Sequence, residues 1–272
     1  MIMKKKLNYF RAQIIDSVFK SGNGHIGGAL SCLEIVYSIY KYGMQNPYKN
    51  RKKKDRDRFI LSKGHACLAQ YVVLSHLGFF KKQELNFFRS HRGILEGHPE
   101  VKIPGVETVT GSLGIGASFA TGVALGLKMQ KYNSKVYCII SDGECQEGII
   151  WETAMFAGFK KLNNLTFFLD YNNLQQDGKI TDVMNINPIV QKWKSFNWIV
   201  KTINGHNLME LKKVLKNRNK YKKPLLIVAK TIKGKGISFM ENSLKWHGTK
   251  APTKEEYLKA LGELGFNRKL NY

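Results

Sequence analysis

Ser141-Asp142-Gly143-Glu144-Cys145-Gln146-Glu147-Gly148 follows the apolar run 136–140 and opens a helical pattern that begins near Ile149. Asn172 comes thirty residues after Asp142, just beyond a second apolar run, 165–169. Two short apolar runs joined through a helix read as parallel strands, and the carboxyl ends of parallel strands form the crevice in which open α/β sheets bind ligands. Gly143 lets backbone approach a ligand, and the following helix turns unpaired N–H groups toward an anion. Asp142 would repel a phosphate there unless a divalent cation lay between them. A hard cation such as Mg²⁺ takes the carboxylate, amide and carbonyl oxygens on offer, completed by phosphate and water. The stretch therefore reads as a metal-diphosphate site.

An isolated Asp-Gly is an ordinary turn after a strand. The longer pattern is more specific: strand, Asp-Gly-Glu, Gln-Glu-Gly, helix, strand, then Asp170-Tyr171-Asn172-Asn173-Leu174-Gln175-Gln176-Asp177-Gly178. It resembles the thiamine-diphosphate motif of the transketolase family, a Gly-Asp-Gly followed about thirty residues later by Asn. Ser141 stands in place of the first Gly, a harmless change at negative φ. Asn173 stands where split transketolases often carry Gly, and Gln176 where an aliphatic residue usually packs near the thiazolium. Both changes raise the expectation of weakened cofactor binding.

The rest of the chain extends the resemblance. Residues 7–21 have the apolar spacing of one buried helix face and stop at Gly22-Asn23-Gly24. His25-Ile26-Gly27-Gly28 follows as a glycine-rich loop, and Ser31 with Glu34 predicts a capping box for a helix over 32–42. A strand over 58–61 precedes Ser62-Lys63-Gly64-His65 and a helix over 66–77; a further helix is expected over 81–89. Gly97-His98-Pro99-Glu100 is a third loop with a histidine. A lone histidine usually has no chemical task, but three at loop junctions on a sheet scaffold lie where binding groups concentrate. They match the family's Gly-His-x-Gly-Gly, Leu-Ser-x-Gly-His-Ala and Gly-His-Pro-Glu segments. Thr110-Gly111-Ser112-Leu113-Gly114 precedes a small-residue helix over 117–132 and resembles the family's Thr-Gly-x-Leu-Gly loop. Strands are expected over 198–203 and 224–229 around a helix over 208–217. A loop over 230–243 then leads to Trp246-His247-Gly248, and a last helix over 253–264 is capped by Thr253 and Glu256.

The 272 residues are 43% hydrophobic, enough for a sizeable core, and show neither an internal repeat nor an interdomain linker. The fold expected is α/β, a three-layer α/β/α parallel sheet over residues 1–272 as one thiamine-diphosphate-binding (PP) domain. No run of eighteen apolar residues occurs, and the basic start 1–6 has no apolar stretch after it, which predicts a cytoplasmic protein with no membrane partner. The cysteines at 32, 67, 138 and 145 have no metal-ligand spacing and are expected as reduced thiols. Cys145, near a helix start, is the one whose pKa a helix N-terminus would lower, though without a catalytic role. The net charge of +24 suits polyanions. Its spread over 4–6, 49–58, 212–223 and 230–235, with no aromatic-interleaved or helix-turn-helix motif, argues instead for a lysine-rich solvated surface and against nucleic acid as a partner.

The match runs nearly end to end and looks most like the N-terminal subunit of a split transketolase. That resemblance implies thiamine diphosphate and Mg²⁺, with Ca²⁺ or Mn²⁺ able to stand in its place. It implies transfer of a two-carbon ketol unit from a ketose phosphate to an aldose phosphate, as in the pentose phosphate pathway, with the cofactor as electron sink. Carried over residue by residue, Asp142, Asn172 and the Leu174 carbonyl would bind the metal. Gly111, Leu113, Gly143, His65 and His247 would touch the cofactor. His25, His65, His98 and His247 would line the substrate channel, where an imidazole of ordinary pKa, about 6.5, relays protons. Glu147 resembles the carboxylate of a network that crosses the subunit interface, with helix-dipole compensation as its plain alternative. The missing pyrimidine-binding and C-terminal domains imply a partner chain, a C-terminal transketolase subunit, in an α₂β₂ assembly. Two other readings remain: a deoxyxylulose-phosphate synthase-like or ketoacid dehydrogenase-like subunit, and a basic binding protein on a retained scaffold.

Overall fold

A computed structural model describes residues 2–266. Its centre is a sheet of five parallel strands: β1 (Arg58–Leu61), β2 (Val136–Ser141), β3 (Leu165–Tyr171), β4 (Ile199–Asn204) and β5 (Leu225–Lys230), in the order β1-β2-β3-β5-β4. The helices are α1 (Ile2–Ser21), α2 (Ile26–Ser38), α3 (Cys67–His76), α4 (Ile115–Met129), α5 (Gly148–Phe159), the short α6 (Ile180–Val183) and α7 (Ile189–Ser195), α8 (Leu208–Lys216) and α9 (Lys254–Glu263).

Successive side chains of a strand point to opposite faces, so each strand feeds two cores. Phe59, Leu61, Tyr137, Ile139, Phe168 and Ile227 pack with α1, α2, α3, α8 and α9 on one face. Ile60, Cys138, Ile140, Phe167, Leu169 and Val228 pack with α4, α5 and α7 on the other. The result is the three-layer α/β/α arrangement expected for strands that read as continuous apolar runs. At about 1.5–3 kcal/mol per fully buried large apolar side chain, the two layers supply the main favourable term of folding.

Two local expectations change. Residues 26–38 form one helix buried along its whole length, so Ser31 and Glu34 lie inside α2 and do not form a capping box. The helix can start this early because Gly27 and Gly28 carry no Cβ: at Gly27 one would stand 2.5 Å from the Trp246 carbonyl oxygen, and at Gly28 3.1 Å from the His65 ring. The helix expected over 81–89 is only a 3₁₀ segment, Lys82–Phe87. The capping box at Thr253 and Glu256 is present, with both reciprocal hydrogen bonds. The register Ser141↔Asp170 places the ends of β2 and β3 side by side, which brings Asp142 and Asn172 together.

Candidate active site

The cleft at the carboxyl ends of β2 and β3 has a volume of about 200 Å³, and its lining includes Asp142, Gly143, Asn172, Leu174, Lys233 and His247. Asp142 is 2% exposed. Its two carboxylate oxygens accept from the N–H of Gly143 at 2.9 Å and of Asn173 at 2.6 Å, which ties the β2 exit to the β3 exit. Asn172 Oδ1 accepts from Leu174 N at 3.1 Å, and the Leu174 carbonyl accepts from Lys233 Nζ at 3.0 Å. Carboxylate, amide and carbonyl oxygens form the all-oxygen donor set a hard divalent cation takes. Among the described residues no cluster of three His, Cys, Asp or Glu side chains is placed to hold a metal, so a softer site is not offered. Gly143 is open where a Cβ would stand. Ser141 keeps a negative φ, and Asn173 sits at φ 62°, the left-handed region that Gly and Asn tolerate best, which explains why either residue serves there.

Beneath the cleft lies a buried network that the sequence reading missed. Asp170 takes an ion pair from Lys63, hydrogen bonds from the Ser31 and Thr231 hydroxyls, and one from Asn172 Nδ2 at 3.3 Å. This last bond fixes the Asn172 amide with Oδ1 on the opposite side of the group. Burial pushes the Asp170 carboxyl up, and Lys63 with the two hydroxyls more than reverses it, leaving it low. Burial likewise pulls Lys63 down, but the Asp170 charge raises it above its ordinary value. At Asp142 compensation is only partial: burial and the Asp170 charge outweigh Lys63, the Asn173 N–H and Lys233 and raise it to about 7. Burial and the neighbouring Lys63 lower Lys233 to about 8.

A second clamp is Glu144. It accepts from the Ser62 hydroxyl, from Gly114 N at 2.8 Å and from Ser141 N at 2.8 Å, so one buried carboxylate joins the exits of β1 and β2 to the start of α4. A third holds the segment that carries Lys233. His206 Nε2 accepts from Ile232 N at 2.8 Å, so in the neutral ring Nδ1 carries the proton and donates to Glu34 at 3.2 Å; Glu34 also pairs with Arg11. Arg11 donates in turn to the Lys235 carbonyl at 2.9 Å. The residue types gave a signal for some of these: Lys63 lies inside the Ser-Lys-Gly-His segment and Asp170 two residues before Asn172.

All four histidines converge in one row. Ring centroids are 6.3 Å apart for His98–His25, 5.6 Å for His25–His65 and 6.1 Å for His65–His247. Lys233 donates to His247 Nδ1. The expectation of imidazoles near their ordinary pKa is corrected. Burial first, and then neighbouring charged groups, lower His25 to about 4 and His247 to about 3, with His65 well below its usual range and His98 also lowered. At neutral pH the row offers uncharged donors and acceptors, suited to hydroxyl groups. Gly111 sits against His98, where a Cβ would meet the ring at 3.2 Å, and Leu113 lines the cleft. Glu147 is exposed at the cleft mouth, in the N-cap position of α5, without a side-chain cap bond. Gln176 is exposed on the cleft rim. Cys145 is buried, and burial raises its thiol well above the usual value, so the helix start does not activate it.

Known proteins share this fold and much of this sequence. The family model described as transketolase, thiamine diphosphate binding domain, matches residues 2–272. The chain is 38% identical over 255 residues to an apulose-4-phosphate transketolase subunit of Phocaeicola vulgatus, covering 93% of this chain and 90% of the relative. It is 38% identical over 264 residues to a 6-deoxy-6-sulfo-D-fructose transketolase subunit of Clostridium sp. strain MSTE9, covering 96% of each. The crystal structure of transketolase from Campylobacter jejuni superposes with a TM-score of 0.89 at 33% identity, covering 98% of this chain and 43% of that one. The chain thus spans less than half the length of this solved transketolase.

Proposed function

The chain belongs to the transketolase family, and from that premise we propose that it is the thiamine-diphosphate-binding subunit of a split transketolase, one PP domain over residues 1–272, working in the cytoplasm. The observation that carries the reading is the meeting of an all-oxygen donor set and a row of four neutral histidines in one cleft. Asp142, Asn172 and the Leu174 carbonyl hold Mg²⁺. Gly143, open where a Cβ would stand, lets the diphosphate approach, and Lys233, His65 and His247 hold it, with Gly111 and Leu113 against the rest of the cofactor. When bound, thiamine diphosphate supplies the electron sink for breaking and making a carbon–carbon bond next to a carbonyl. His25 and His98 face the sugar, orienting hydroxyls and moving protons between them.

A partner chain completes the site in this reading. Relatives of nearly the same length are themselves named as subunits, which supports it. So does the surface of the two helices that start at the cleft: Ile115 and Phe119 on α4 and Met155, Phe156 and Phe159 on α5 are exposed apolar side chains, more than a monomer's scattered surface needs. Glu147 at the mouth is positioned to reach that partner, and an α₂β₂ assembly follows. The substrates are a ketose phosphate donor and an aldose acceptor. The names of the two relatives, on apulose 4-phosphate and a sulfonated deoxyfructose, widen the panel beyond the pentose phosphates.

Calorimetric titration with thiamine diphosphate, with and without Mg²⁺, tests the reading, followed by ketol transfer with the candidate partner subunit over that sugar panel. Saturable binding that requires Mg²⁺, and turnover only when both subunits are present, is the expected result. Failure of the intact chain to bind the cofactor with Mg²⁺ defeats the proposal.

A further inference from the structure

The basic run 49–58 is not used by the cleft, yet it walls a cavity of about 410 Å³ beside the amino end of β1, at the opposite end of the sheet. Cavities of roughly 300–1,000 Å³ are those that take small ligands. Its floor is aromatic. Tyr40 and Phe59 lie buried with ring centroids 5.1 Å apart, and Tyr48 meets Phe79 edge-on at 5.3 Å. The Arg51 guanidinium lies 4.0 Å over the Tyr48 ring and donates to the Tyr48 carbonyl at 2.8 Å; Lys52 stands beside it on the rim.

The acids of the lining are already engaged. Glu107 takes a fork from Arg56 and a further contact from Arg58, and Asp57 accepts from Gln45 N at 2.8 Å and Lys135 N at 2.7 Å. Among the described residues, Arg51 and Lys52 make no ion pair with a carboxylate. A solvated lysine face needs no aromatic-floored cavity behind it, so the pairing of the two calls for a ligand with a flat apolar body and an anionic end. We propose that this cavity binds a nucleoside phosphate, with the base on the aromatic floor and the phosphates on Arg51 and Lys52. The site is independent of what the cleft binds.

The probe is a fluorescent N-methylanthraniloyl derivative of adenosine diphosphate, titrated against the full chain with excess thiamine diphosphate and Mg²⁺ to fill the cleft. Saturable binding is expected, displaced by unlabelled adenosine diphosphate at concentrations at least tenfold below those needed of pyrophosphate, ribose 5-phosphate or adenosine. Affinity should fall at least tenfold in Arg51→Ala/Lys52→Ala and in Tyr48→Ala, with melting temperature unchanged, and should stay the same in Lys233→Ala. The proposal is overturned by no saturable binding, by equal displacement by pyrophosphate, or by loss in Lys233→Ala with the loop variants unaffected. Tighter, steeply salt-dependent binding of RNA at the same loop also overturns it.

Discussion

The two ends of the sheet both gather charge, and they handle it in opposite ways. At the carboxyl end Asp142, Glu144, Asp170 and Lys63 are buried, and each of them has at least one partner on another element. At the amino end Arg56 and Glu107 pair in a partly exposed fork, while Arg51 lies over Tyr48 on the surface. Buried charge is costly unless paired, so the Asp170–Lys63 pair and the Glu144 clamp are rigid and intolerant of a missing partner, while Asp142, raised by Asp170, is held at a cost. Charge near water is screened and replaceable, so the second tolerates change. The cleft is therefore set by the fold before anything enters it, whereas at the amino end Arg51 and Lys52 have no carboxylate partner among the described residues.

The largest effect should come from Asp170→Ala. It strands the buried Lys63 ammonium and releases Ser31, Thr231 and Asn172, and urea unfolding should show a loss of about 3–5 kcal/mol. A smaller loss would mean that the network is not interlocked.

Asp142→Asn should sharpen the contrast by acting in the other direction. Its folded carboxyl is raised to about 7, against about 3.9 in an unfolded chain. The ionised form is the one the fold disfavours, so its cost is absent below pH 4, grows as pH rises toward 7 and is complete above. The ligand-free Asn variant should be more stable than the parent by about 4 kcal/mol at pH 8 and about equal at pH 4. Denaturant midpoints across that range measure it. The same variant should lose Mg²⁺-dependent cofactor binding, which makes Asp142 a residue kept at the expense of stability.

Glu107→Gln at the amino end should have the smallest effect. A partly exposed ion pair contributes about 1 kcal/mol or less, and thiamine-diphosphate affinity at the other end of the sheet should not change. Thermal unfolding and the cofactor titration check both halves of that statement.

What was legible in the sequence follows the same division. The strands and helices of the core announced themselves through apolar runs and periodicity, and Asp142, Asn172 and the four histidines stood out as candidates by their place at glycine-bearing loop junctions, which the fold brings together. The supports were not legible. Ser31 bonds Asp170 across 139 positions and Ser62 bonds Glu144 across 82, distances at which local pattern carries no information. Ser31 and Glu34 mislead for that reason: their spacing fits a local cap, while tertiary contacts to Asp170, Arg11 and His206 decide where they sit. The lowered histidine pKa values were likewise invisible, since they arise from burial and from neighbours brought in by other elements.

The strand order β1-β2-β3-β5-β4 also bears on how the chain is made. A ribosome delivers β1, β2 and β3 in the order in which they pair, so each new strand finds an edge waiting. β4 breaks the sequence, because it pairs with β5 and has no place to dock until β5 emerges. Between Asn204 and Lys230, at about 5–20 residues per second, the nascent protein carries an open β3 edge and an unattached strand for about 1–5 s. The composition of β4 suits that interval. Lys201, Thr202 and Asn204 are exposed in the finished sheet, and a lysine in mid-strand discourages pairing with a neighbouring chain while the proper partner is still being synthesised.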